Sequence, residues 1–112
     1  MVPLYQAKAE FFRTLGHPVR IRVLELLCER DHAVHELLDE IDVEASSLSQ
    51  QLGVLRRSGL VEQRRDAGQV VYSVSVPEVR DLLLAGRAIL RHVAQNQGAL
   101  ASELAPARRA RR

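Results

Sequence analysis

The stretch ASSLSQQLGVLRRSGLVEQRRDAGQVVYSV (45–74) changes its apolar period once, and that change decides the fold. From Ala45 to Arg57, Leu48, Leu52 and Leu55 recur three and four positions apart, the spacing of one helical face, and Gly59 supplies a stop. Beyond it, Leu60 to Arg65 and Val70 to Val74 flank the polar turn Asp66-Ala67-Gly68-Gln69, which predicts a β-hairpin closed by Pro77. The outer face of the helix carries Ser46, Ser47, Ser49, Gln50, Gln51 and Arg56. The hairpin carries Arg64, Arg65 and Gln69 around its tip.

Upstream, Val34, Leu37, Leu38 and Ile41 mark a short helix, joined to the first by the turn Asp42-Val43-Glu44. Before it, Glu29-Arg30-Asp31-His32 reads as a polar break. Pro18 to Cys28 predicts a helix apolar over most of its circumference, the expected centre of the core. Leu4 to Leu15 predicts an opening helix, ended by Gly16. Downstream, Val79 to about Gln97 returns to helical spacing with a broad apolar face, part of it expected to bury against a second copy of the chain. The fold class is therefore mainly α with a small β-hairpin, in the order α-α-α-α-β-β-α. Residues 1–98 are expected to form one domain, and 99–112 a flexible basic tail.

The totals agree. A chain of 112 residues suffices for one domain with a real core. Aromatics are 4% and Trp is absent, so Leu, Val, Ile and Ala must build that core. The net charge of +2 comes from the tail arginines Arg108, Arg109, Arg111 and Arg112, and the body is slightly acidic. Charge alone is thus weak support for a nucleic-acid partner; the placement of individual arginines carries the case. The lone Cys28 excludes an internal disulfide and fits a reducing compartment. The opening MVPLYQAKAEFF does not resemble a secretory leader, so a cytoplasmic protein without a membrane partner is expected.

A short helix, a tight turn and a second helix match a DNA-reading helix-turn-helix in length and order. Short hydroxyls near a helix start suit phosphate, and Gln pairs bidentately with an adenine edge. Serines there also satisfy backbone N–H groups, the plainer reading of some of them. An arginine-bearing hairpin beside the helix suits the DNA backbone.

These segments resemble the ArsR/SmtB family of bacterial winged-helix repressors over roughly residues 8–95. LGHPVRIRVLELL (15–27) is similar to its opening signature, and residues 45–74 to its recognition helix, Gly turn and wing. The resemblance implies a homodimer through the first and last helices, bound to an inverted-repeat operator. It puts Ser46, Ser47, Ser49, Gln50 and Gln51 at DNA-facing positions, with Arg64, Arg65 and Gln69 in the wing. It also implies metal sites that are not intact here. Ala33 and His35 stand where many members have a Cys-x-Cys pair. Val76, Glu78, Ile89 and His92 stand where a last-helix site has Asp, His, His and Glu.

Two partial ligand sets remain. Cys28, His32 and His35 lie close in sequence; they either offer a thiolate and imidazoles, or leave Cys28 in the core and both His as exposed turn residues. Glu78 and His92 could bridge two subunits. Bound metal would be Ni(II) or Zn(II), held weakly by imidazole. No Gly-rich phosphate loop, His-Glu-x-x-His or nucleophile with a base is present, so no enzyme is expected. The alternatives are a winged-helix module that binds protein, or a metal-independent regulator set by a protein co-regulator.

Overall fold

The computed structural model describes residues 1–97. Its elements are α1 (Leu4–Leu15), α2 (Pro18–Glu29), β1 (His32–Ala33), α3 (Val34–Glu40), α4 (Ala45–Arg57), β2 (Val61–Asp66), β3 (Gln69–Val74) and α5 (Glu78–Gln97). The expected tail 99–112 lies outside the described residues. These divide into two units, Met1–Val79 and the part of α5 from Arg80 onward.

In the first unit, His17 caps α2. Its Nδ1 accepts the Val19 N–H at 3.1 Å, and Pro18 opens the helix where a missing N–H costs nothing. Val23, Leu24, Leu26 and Leu27 of α2 are buried, and the helix packs on β3 and α4. The leucine stripe of α4 meets it: Leu48, Leu52 and Leu55 are all buried. Gly59 ends α4 in the left-handed region (φ 83°), its N–H on the Arg56 carbonyl (3.0 Å) and the Leu60 N–H on that of Leu55 (3.1 Å). This paired closure settles two carbonyls that the helix cannot use and sends buried Leu60 inward.

The hairpin runs in register from Val61↔Val74 to Asp66↔Gln69. Its turn, Ala67-Gly68, has φ of 54° and 82°, the positive pair that lets a two-residue loop follow the strand twist.

The segment around His32 differs from its reading as a polar break. His32 and Ala33 form a third strand on the free side of β3, paired His32↔Tyr72 and Ala33↔Val71, giving the order β1-β3-β2. Two residues cannot show a period, and both are buried. Just after them Glu36 of α3 reaches back to accept the Ala33 N–H at 2.8 Å, with Arg30 beside it at 3.4 Å. That N–H, more than Arg30, holds the Glu36 carboxyl below the usual carboxylate range.

α5 is a 20-residue helix with Ile89, Leu90 and Val93 exposed along one stripe. No helix among the described residues is long and apolar enough to cross a membrane.

Candidate nucleic-acid interface

α3, the turn Ser-free and short at Asp42–Glu44, and α4 form the helix-turn-helix, with the β2–β3 hairpin as the wing. Glu44 is the N-cap of α4, so Ser46, Ser47 and Ser49 lie inside the helix rather than at its cap. Ser46, Ser49, Gln50 and Arg56 are exposed, and Ser47 is half-buried at the edge of the face. The line opposite the leucine stripe is Ser46, Gln50, Gly53 and Arg57, at helical spacing. Arg57 was not among the residues expected here, although its place seven positions after Gln50 marks the same ridge. Its guanidinium lies over Gly53, where an added methyl would sit 3.2 Å from Nη1.

Gln51 corrects the expected outer face. It is 9% exposed and turned inward, its Oε1 accepting from Arg20 Nη1 at 2.7 Å. One helical step of about 100° separates it from Gln50 and carries it to the leucine side.

On the wing, successive residues of β2 point to opposite faces. Arg64 turns toward β1 and donates to Asp31 at 2.8 Å, with Asp66 at 4.0 Å. Arg65 takes the other side, its Nη1 donating to the Gly68 carbonyl at 3.3 Å. Gln69 is exposed beside it. The two arginines therefore differ in readiness for an anion, since Arg64 already faces a carboxylate.

The metal candidates are not brought together. His32 is 3% exposed, and its Nδ1 donates to the Arg30 carbonyl at 2.8 Å; this corrects its reading as an exposed turn residue. Strand pairing explains the burial, because β1 presses His32 against β3. His35 is exposed and Cys28 half-buried. Among the described residues, no group of three or more His, Cys, Asp or Glu side chains is placed to hold a metal ion. Glu78 and His92 are both exposed on α5, fourteen positions apart, roughly 21 Å at the helical rise. One ion cannot join them within a single chain.

The family model described as "Bacterial regulatory protein, arsR family" matches residues 17–63, from the cap of α2 into the wing. The chain is 52% identical over 103 residues to the HTH-type transcriptional regulator Rv0081 of Mycobacterium tuberculosis, covering 91% of this chain and 90% of that one. The crystal structure of Rv0081 superposes with a TM-score of 0.79, over 88% of this chain and 100% of that one. The biofilm growth-associated repressor of Xylella fastidiosa is 42% identical over 75 residues, covering 67% of this chain and 66% of the repressor. The structure of the repressor BigR from that organism superposes with a TM-score of 0.71 at 39% identity, over 76% of this chain and 87% of that one. KmtR of M. tuberculosis is 36% identical over 91 residues, covering 74% and 70%. A chain this similar along its length, with the same fold, shares the family of these regulators. It belongs to the ArsR family of bacterial regulatory proteins, as a winged helix-turn-helix DNA-binding transcriptional regulator and not an enzyme.

Proposed function

We propose that the protein represses transcription as a homodimer that places two copies of α4 in successive major grooves of an inverted-repeat operator. The observation that carries this is the outer face of α4. From Ala45 to Arg57 that helix has no carboxylate, and its exposed side carries hydroxyls, Gln50, Arg56 and Arg57 opposite three buried leucines. Ser46 and Ser49 suit phosphate and sugar contacts, and Gln50 suits an adenine edge. Arg56 and Arg57 end the helix where it would leave the groove for the backbone. Arg65 and Gln69 of the wing run along phosphate, while Arg64 does so only by leaving Asp31.

Exposed Leu4, Tyr5 and Phe12 on α1, and Ile89, Leu90 and Val93 on α5, support burial against a second copy. Cys28, His32 and His35 are left out of this reading as a metal site, because His32 is buried with its Nδ1 bonded to the Arg30 carbonyl. Glu78 and His92 remain exposed donors that only a second chain could complete for Ni(II) or Zn(II).

The test is selection of bound genomic fragments followed by footprinting. Two protected half-sites about one helical turn apart, ~34 Å, are expected. A footprint with one half-site, or retention on DNA without any sequence preference, would sink the reading.

A further inference from the structure

Arg20, near the start of α2, shares one guanidinium between two other helices. Its Nε donates to the Thr14 carbonyl at the end of α1 (2.6 Å), and its Nη1 to Gln51 Oε1 in α4 (2.7 Å). Gln51 is the one polar side chain among the buried residues of α4, beside Leu48, Leu52 and Leu55. A buried amide costs stability unless it is bonded, and a leucine would have served packing alone. The leucine stripe holds α4 by non-directional contact, which resists separation more than rotation about the helix axis. A planar guanidinium with two fixed donor directions resists that rotation.

We infer that Arg20 is a positioning residue for DNA reading, setting the roll of α4 through Gln51 and tying it to the end of α1. The inference rests on the reading of α4 as the helix that enters the groove. It links the apolar helix α1, assigned above to self-association, to the orientation of Ser46 and Gln50. A dimer contact that shifts α1 would reach α4 through this side chain as well as through the packing of α2 against both helices.

The test compares Arg20→Met, Gln51→Met, Gln51→Glu, the Arg20→Met/Gln51→Met double variant and Gln50→Ala. Each is measured for affinity to the selected operator and to random-sequence duplex, with melting temperature and sedimentation mass alongside. Gln51→Glu keeps operator affinity, because its carboxylate still accepts from Arg20. Arg20→Met and Gln51→Met each weaken operator binding by about tenfold, the size of one lost charge-assisted hydrogen bond, and leave random-sequence binding nearly unchanged. The double variant loses no more than either single one, since both remove the same link.

The opposite order overturns the inference. If Gln51 faced DNA, Gln51→Glu would set a negative charge beside phosphate and bind worst of all. Additive losses in the double variant overturn it too. Should the Met variants fail to fold, Gln51→Leu, which keeps the packing and removes the acceptor, takes their place: a tenfold loss of operator affinity is expected, and an unchanged affinity overturns the inference. The underlying reading fails separately: an unaffected Gln50→Ala sinks the assignment of α4. A weakened Gln50→Ala with a neutral Arg20→Met sinks only the positioning role.

Discussion

Gln50 and Arg65 serve different parts of DNA binding, and their variants should fail differently. Gln50→Ala should relax preference at one base position per half-site, at about 1–3 kcal/mol, measured by binding to operators changed one base at a time. Arg65→Ala should weaken all sequences alike and reduce the salt slope by about one phosphate contact. Glu36 makes a third case. Its carboxyl is held low by the Ala33 N–H, so the folded form takes up a proton less readily than the unfolded chain. Its stabilising effect is present above the ordinary carboxylate value, near 4.5, and is lost as pH falls through the lowered folded value. Glu36→Gln should therefore flatten the acid end of a melting-temperature profile. At this scale the sequence was only partly legible. Gln50 and Gln51 are chemically identical neighbours; helical spacing already puts Gln51 on the leucine side, three after Leu48 and four before Leu55, but the partner that satisfies it there is an arginine 31 positions away. Hydrogen bonding to a distant residue leaves no local period.

The elements were more legible, because the switch from helical to alternating spacing at Gly59 is local. The helices and the hairpin fall where their apolar spacing puts them. β1 escaped for the reason that it is two residues long and made a strand by β3, far along the chain. Two glycines of the reading region should respond to alanine with opposite signs. Gly53 is helical, and its added methyl would meet the movable end of Arg57. Gly53→Ala should raise stability by about 0.5–1 kcal/mol. Gly59 has open space around it but a φ of +83°, so Gly59→Ala should lower stability by about 1 kcal/mol or more. Chemical denaturation of both variants checks the pair.

For the whole molecule, exposed apolar helices predict self-association. Sedimentation at micromolar concentration should give twice the mass of one 112-residue chain. Phe12, 54% exposed, and Ile89, 62% exposed, are surfaces a soluble monomer would seldom leave open together with their neighbours. Phe12→Glu or Ile89→Glu should give folded monomers, judged by sedimentation with unchanged far-UV circular dichroism, and should abolish cooperative filling of two half-sites. The order β1-β3-β2 has a different consequence. β3 is flanked by β2 along its length and by β1 at Val71 and Tyr72, so the outer edge of β2 is the longer of the two sheet edges at which a foreign strand could add. That edge reads Glu62-Gln63-Arg64-Arg65-Asp66, all exposed and four of them charged. A strand arriving there must strip water from each charge, so the wing repels sheet growth as well as offering arginines to phosphate. Variants that neutralise the wing to probe DNA binding also remove a guard against aggregation.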